Sequence, residues 1–229
     1  LTRRHIRIKV MQSVYSFTVG KQFKIDDEVK FFKESVEHTF NLYLLLLGLI
    51  KSLHAYAEQQ LETIQKHNIQ NETHFFILQK FAQNKVLLFI KNHKSLSKHL
   101  NNKKLINWDL EFKYLKELFE LVTSSAIFKA YMALENIKIA DDLKLVLKIF
   151  KDHIATSSYL YDHIEDQRLT WIDDLPMVNT FMLKMLKKIK VNKPQTLLFP
   201  KPNENQEDTD FGIQLLEKVI VNDEKLQKE

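Results

Sequence analysis

The chain has 229 residues, 45% of them hydrophobic, and a formal net charge of +5. This is enough apolar material to bury a substantial core, so global disorder is excluded. The chain contains no cysteine, which excludes disulfides, thiolate metal sites and a cysteine nucleophile. The moderate positive charge indicates only that an anionic partner is favoured.

The composition predicts an all-α fold, a multi-helix bundle. Only three glycines and four prolines are present, and the first proline is Pro176. The chain therefore has few of the residues that form tight hairpin turns. Its long segments are filled by residues such as Leu, Lys and Glu, which favour helices.

The first predicted helix covers residues 1–20 and is rich in arginine. Residues 1–24 contain six Lys or Arg and no acidic residue. Three of the four arginines in the whole chain are Arg3, Arg4 and Arg7. This end of the chain is therefore the strongest candidate for contact with an anion.

An apolar stripe also runs along this first helix. It is formed by Ile6, Val10, Val14 and Phe17, with Met11 beside them. The three arginines and Lys9 lie away from the centre of that stripe. We therefore expect the helix to pack on the rest of the protein while its cations face solvent, and to end near Gly20.

Neither a signal peptide nor a membrane span is predicted. The N-terminal segment alternates charged and apolar residues instead of leading into a continuous apolar stretch. The most apolar run, residues 42–50, is about half the roughly 20 residues that span a bilayer. It is interpreted as the buried stripe of a soluble helix, and the protein is predicted to be cytoplasmic without a membrane partner.

A large helical insert is predicted over residues 26–190. It starts with a helix that extends to about His67, bent near Gly48. Further helices are expected at about 73–92, 108–120, 123–136, 140–154, 158–167 and 175–190. Short polar breaks separate most of them.

The C-terminal part is predicted to consist of a loop and one last helix. Residues 191–209 hold three of the four prolines, which is typical of a linker or surface loop. Residues 210–229 form an amphipathic pattern whose apolar face consists of Phe211, Leu215, Leu216, Val219 and Ile220. That face needs a cover, from the bundle, from a segment absent from the chain, or from a second copy in a homodimer.

No catalytic residue, metal site or cofactor is predicted. His153 and His163 both occur in Asp-His-Ile, but ligands on one helix face need a spacing of three or four residues. The pairs 141–142 and 173–174 are each two aspartates, and we interpret both as helix starts, the second leading into a first-turn Pro176. The chain also lacks a Gly-rich phosphate loop and a nucleophile beside a base.

Two segments resemble the NusB family of bacterial transcription antitermination factors. The first matches the pattern R-R-x-x-R-x-x-x-x-Q-x-x-Y with Arg3, Arg4, Arg7, Gln12 and Tyr15. The second, DTDFGIQLLEKVI, is similar to the family's D-x-x-F-x-x-x-L-L helix. The two occur in the family's order but are separated by almost the whole chain, which indicates a long-insert version of a Bacteroidetes-like kind. The helices that follow the second segment in the family are missing, so either the insert supplies a second half of its own, with residues 170–189 resembling the family's W-x-x-D-R-type segment, or the chain is truncated.

The resemblance implies a non-catalytic, RNA-binding role. Members of the family bind the boxA element in the leader RNA of ribosomal operons together with NusE, a ribosomal protein, and help RNA polymerase pass terminators. The residues that would bind RNA in this chain are Arg3, Arg4, His5, Arg7 and Lys9. Arginine suits this role because its planar fork pairs with phosphate oxygens or stacks on an unpaired base. Gln12 and Tyr15 are interpreted as residues that pack the helix.

Two other functions remain open at this point. In the first, the chain is a helical protein–protein interaction module whose basic helix only packs and whose insert docks a partner such as NusE or polymerase. That function predicts an exposed apolar surface and RNA affinity no better than any basic protein shows. In the second, the chain is the N-terminal RNA-binding domain of an RNA methyltransferase, since some of these enzymes carry a NusB-like module.

Overall fold

The computed structural model describes residues 3–20, 24–67, 71–102, 108–168, 170–191, 193 and 206–222. All regular elements in these ranges are helical, which confirms the predicted all-α fold. The α-helices are α1 (Arg3–Gly20), α2 (Ile25–His67), α3 (Glu72–Ala82), α4 (Lys85–Lys91), α5 (Lys94–Asn102), α6 (Phe112–Ser124), α7 (Ala126–Met132), α8 (Ile139–Ile149), α9 (Ser158–Gln167), α10 (Thr170–Lys187) and α11 (Gln206–Val221). A 3-10 turn at Trp108–Leu110 and a π-helical turn at Phe150–Ile154 complete the set. Most of the predicted linker at 191–209 lies outside the described residues.

The chain divides into two compact units. Unit 1 consists of Leu1–Asn41 and Phe199–Glu229, and unit 2 consists of Leu42–Leu198. Unit 1 thus combines the two ends of the chain. The predicted division, by contrast, follows the order of the sequence, with a helical bundle over residues 1–190 that includes the first helix and the insert, a linker over 191–209 and a last helix over 210–229.

The core of unit 1 is built by α1, α11 and the first part of α2. Its buried centre consists of Ile6, Val10, Phe32 and Leu216, and partly buried residues such as Val14, Phe211 and Leu215 pack around it. The apolar face of α11 is therefore covered by helices of the same unit. Of the three covers considered for this face, the structure supplies the one from the same chain, which removes the reason for expecting a homodimer through it.

Gly212 sets how closely the helices of unit 1 approach each other. A Cβ atom at this position would lie 2.7 Å from Cγ2 of Ile6 and 3.0 Å from Cε1 of Phe32, with Cζ of Phe32 closer still. Real Cβ atoms essentially never make contacts below 3.0 Å. Since the glycine is also buried, no larger side chain fits without movement of the core.

The core of unit 2 is rich in leucine and aromatic residues. Residues 42–50 are all buried, as the interpretation of this run as a core stripe predicts. The ring of Phe81 lies 5.2 Å from that of Phe119 and 6.1 Å from that of Phe128. The indole of Trp108 donates a hydrogen bond to the carbonyl of Leu45 at 2.9 Å, so the 3-10 turn at Trp108–Leu110 is attached to α2.

The helix α2 is long and apolar enough to cross a membrane, judged by length and composition alone. In the structure, however, 72% of its most apolar 18-residue window is buried. This burial is compatible with the core helix of a soluble protein.

One predicted helix is interrupted in the structure. The prediction of a single helix over 73–92 is wrong, because α3 ends at Ala82 and α4 starts at Lys85. The buried side chain of Asn84 causes the break, since its Oδ1 accepts hydrogen bonds from the backbone N–H groups of Val86 and Leu87, both at 3.0 Å. Asparagine at an N-cap position favours a new helix start over continuation of the old one.

The predicted start of α10 is also wrong. The helix begins at Thr170, so Asp173 and Asp174 lie within it and are not its N-cap. Pro176 is likewise inside the helix. The two aspartates and the proline resemble a helix start, but proline removes only one N–H donor from a helix. Packing outweighs that loss here, because Trp171, Asp174 and Leu175 are all buried.

Unit 2 contains a buried histidine, His54. Its Nε2 donates to the carbonyl of Ala82 at 2.9 Å, and its Nδ1 lies 3.7 Å from Oε2 of Glu58, which also pairs with Lys91 at 2.5 Å. Burial lowers the pKa of His54 below 6.5, and the nearby Lys91 ammonium lowers it further. The hydrogen bond to Ala82 and the Glu58 carboxylate act in the opposite direction but do not compensate.

We expect Gly212→Ala to destabilise unit 1. The gain in helix propensity is about 1 kcal/mol, but overpacking costs roughly 1–3 kcal/mol, so the protection of α1 and α11 amides against hydrogen exchange should fall. The matched control is Gly48→Ala in α2, where the nearest atom to the new Cβ is Cδ2 of Leu100 at 3.3 Å, the end of a flexible side chain. That variant should be neutral or stabilising, and equal protection in both variants would contradict the packing at Gly212.

We also expect the stability of unit 2 to fall as the pH drops below about 6.5. Because the folded-state pKa of His54 is lowered, the unfolded chain binds the proton first, and stability is lost by up to about 1.4 kcal/mol per pH unit until the folded pKa is passed. In urea melts between roughly pH 7.5 and pH 5, a range that brackets the ordinary histidine pKa, His54→Gln should flatten this dependence of the free energy of unfolding on pH. His67→Gln, at an exposed position in the same helix, should leave it unchanged.

Candidate nucleic-acid interface

Three arginines lie on the first two turns of α1. Arg3, Arg4 and Arg7 are exposed, and the side chain of Arg3 is 64% accessible to solvent. We call these three residues the arginine cluster. They occupy positions i, i+1 and i+4 of the helix, so Arg3 and Arg7 lie on one side and Arg4 is rotated by about 100°.

The arginine cluster is held against α11. The guanidinium carbons of Arg3 and Arg7 lie 5.2 and 5.8 Å from the centroid of the Phe211 ring, within the range of cation–π contacts. Nε of Arg3 also donates to Oδ1 of Asp208 at 3.4 Å. Asp208 and Phe211 are the Asp and Phe of the D-x-x-F pattern, so the two segments that carry the NusB resemblance contact each other.

These contacts have opposite consequences for anion binding. The ring of Phe211 orients two guanidinium groups without neutralising them, which leaves both charges available to a phosphate. The carboxylate of Asp208, in contrast, competes for Arg3. The Arg3 side of that ion pair is 64% exposed and the Asp208 side 26%. A pair that water reaches to this extent contributes little to stability, so it opposes release of Arg3 only weakly.

The two remaining predicted RNA-binding residues are less accessible. His5 is half-buried, and Lys9 is only 3% exposed. The expectation that Lys9 faces solvent is therefore wrong: it lies three residues after Ile6 and four before Ser13, both of which are fully buried. Lys9 has an interaction partner within the chain, and it does not belong to the exposed cation surface.

An exposed apolar stripe was missed by the sequence analysis. It consists of Ile8, Met11, Tyr15 and Val19, which are 41%, 64%, 71% and 61% exposed. The interpretation of Tyr15 as a packing residue is wrong, and so is the placement of Met11 beside the buried stripe. The signal was present in the sequence, because these residues recur at steps of three and four on the side opposite Ile6 and Val10.

Other residues with chemical potential have structural roles. Asp142 is buried and accepts hydrogen bonds from the Tyr131 hydroxyl at 2.6 Å and from the backbone N–H of Lys85 at 3.1 Å. The carboxylate of Asp141 accepts from the backbone N–H of Lys138 at 3.0 Å, which confirms that this aspartate pair starts a helix. Among the described residues, no group of three or more metal-ligating side chains occurs.

His163, one of the two histidines considered as metal ligands, packs among aromatic rings. Its ring lies 5.6 Å from that of Trp108 and 6.0 Å from that of Tyr159, and it is parallel to the latter within 9°. The chemistry of the described residues is therefore concentrated on α1, where the arginine cluster and the exposed apolar stripe lie on one helix.

Comparison with known proteins gives no further guidance on this helix. No protein-family model, no curated protein and no solved structure matches the chain. The resemblance to NusB therefore depends on the two quoted segments, and the function is inferred from their geometry.

Proposed function

We propose that the chain is a non-catalytic, RNA-binding transcription antitermination factor of the cytoplasm that binds boxA-type single-stranded leader RNA together with NusE. The observation that carries this proposal is the arginine cluster: three exposed guanidinium groups on two helical turns, in a segment of 24 residues without a carboxylate. Such a surface suits a flexible polyanion, because binding releases counterions from the phosphates.

The packing of α1 on α11 supports the same proposal. Arg3 belongs to the first NusB-like segment, and it contacts both Asp208 and Phe211 of the second. Two distant segments that resemble one family would be expected to form one module. Their contact in unit 1 agrees with that expectation.

Tyr15 adds a group that the sequence analysis had assigned to packing. Its ring is 71% exposed on the helix that carries the arginine cluster, and exposed aromatic rings stack on unpaired bases. The proposed RNA-binding surface thus includes Arg3, Arg4, Arg7 and Tyr15 and excludes Lys9.

A second candidate function is a helical protein–protein interaction module. The exposed apolar stripe favours it, since three of its four residues have no evident role in binding RNA. The two functions are compatible on one helix, because an antitermination factor that acts with NusE needs a protein-binding surface as well.

The first test concerns Arg4, which is exposed and for which the described residues show no partner. We expect Arg4→Gln to weaken binding of a boxA-like RNA by roughly 3- to 10-fold and to reduce the slope of log K against log salt by about 0.7. Fluorescence anisotropy across a salt series, against a scrambled RNA of equal length and with and without NusE, measures both quantities.

The matched control for that test is Lys113→Gln, which removes the same charge from an exposed position in unit 2. If the two variants lose affinity equally, the chain binds RNA only through its net charge. A boxA preference that strengthens with NusE and is lost only in Arg4→Gln is the result expected of an antitermination factor.

The second test uses the competing carboxylate. We expect Asp208→Asn to tighten RNA binding by about 2- to 5-fold, because Arg3 is released for a phosphate and a nearby repulsive charge is removed. The same variant should cost less than about 1 kcal/mol of stability. Isothermal titration and a urea melt give the two values, and unchanged RNA affinity would show that Arg3 serves only to hold α11.

A further inference from the structure

The exposed apolar stripe consists of Ile8, Met11, Tyr15 and Val19. The RNA proposal uses only Tyr15 and leaves the other three residues unexplained. Phosphates and sugars offer little to isoleucine, methionine and valine side chains, which are 41–64% exposed here. Scattered exposed apolar residues are common on proteins. Four on consecutive turns of one helix form a continuous surface of the kind that marks an interaction site.

The shape of the stripe indicates what kind of partner fits it. At about 100° per residue, its four side chains lie within an arc of about 80°. This is narrower than the arc of about 100° or more by which a helix packs on a protein core, and it is typical of the seam between two helices. From Ile8 to Val19 the seam is about 16 Å long, which matches three turns of a partner helix.

The charges along the stripe indicate the chemistry of that partner. Arg4 lies within the same arc and Arg7 lies beside it, while α1 contains no acidic residue. A second copy of α1 would bring arginines against arginines in a parallel pair and would place no carboxylate opposite Arg4 or Arg7 in an antiparallel one, so self-pairing gives these arginines no charge partner. A partner helix with carboxylates beside its apolar residues would pair with both arginines.

A membrane surface fits these observations less well. Helices that lie in a bilayer interface place a broad apolar face in the lipid and keep their cations on the opposite, polar face. In α1, Arg4 lies within the stripe and Arg7 lies beside it, and the opposite side, with Ile6, Val10 and Ser13, is buried in unit 1.

We propose that the exposed apolar stripe of α1 docks an acidic amphipathic helix of another protein, with Ile8, Met11, Tyr15 and Val19 as the apolar seam and Arg4 and Arg7 as its charge partners. This inference goes beyond the proposed RNA function and does not depend on it. It assigns a protein-binding role to Ile8, Met11 and Val19, which the proposed RNA-binding surface does not use, while Arg4, Arg7 and Tyr15 belong to both surfaces.

The test uses the full chain and a labelled synthetic peptide of three heptads with Leu at the a and d positions and Glu at the e and g positions. Repulsion between the Glu residues keeps such a peptide from pairing with itself. We expect saturable binding in fluorescence anisotropy at roughly physiological ionic strength. A twin peptide with Lys in place of Glu should not bind.

The double variant Met11→Ser with Val19→Ser should weaken binding of the acidic peptide by at least about tenfold. Both positions are exposed, so circular dichroism should show an intact fold. The matched control is Leu121→Ser, an apolar residue of α6 that is 61% exposed in unit 2, and it should bind the peptide like the unchanged chain. Retained binding of boxA-like RNA by the double variant would separate the two proposals.

Four results would overturn the inference. The first is absence of saturable binding, and the second is equal binding of the acidic peptide to the double variant. The third is sedimentation of the chain as a dimer that the double variant disrupts, which would make a second copy the occupant. The fourth is stripe-dependent association with vesicles of phosphatidylserine and phosphatidylcholine, which would make a lipid surface the occupant.

Discussion

The close approach of α1, α2 and α11 at Gly212 is the constraint on which the candidate interface depends. The space at this position is filled by the side chains of Ile6 and Phe32, which leave no room for a Cβ atom. Because Phe211 is the neighbour of that glycine, the same packing that buries Gly212 places the Phe211 ring beside Arg3 and Arg7. The interface is thus built by core packing and not by surface ion pairs.

The helix α1 has three different sides with three different roles. One side buries Ile6 and Val10 in unit 1. The side next to α11 presents Arg3 and Arg7 on an aromatic ring, and the remaining side exposes apolar residues around Arg4. A helix whose only role is to pack in the core needs just the first side. The other two sides are therefore where a partner molecule would bind.

The sequence predicted the type of structure better than its boundaries. Low glycine and proline content and helical periodicity were sufficient for an all-α fold, because these are local properties of the chain. The break at Asn84 and the continuation of α10 through Pro176 were not predicted, since the same residues are compatible with either outcome until packing decides. The arginine cluster was found from composition, but the burial of Lys9 and the exposure of Tyr15 were not.

The sequence by itself determined that the chain is helical, that it can bury a core and that its first 24 residues carry six cations and no carboxylate. These features depend on residue type and spacing along the chain, which a helix preserves. The periodicity of α1 also predicted its buried side, since Ile6 and Val10 lie in the core of unit 1. Only the tertiary structure decided what covers that side and that Lys9 is buried while Tyr15 is exposed, because these outcomes depend on packing between distant segments. The cover comes from residues more than two hundred positions away, in α11, where Gly212 permits contact with Ile6 and Phe211 meets the arginines.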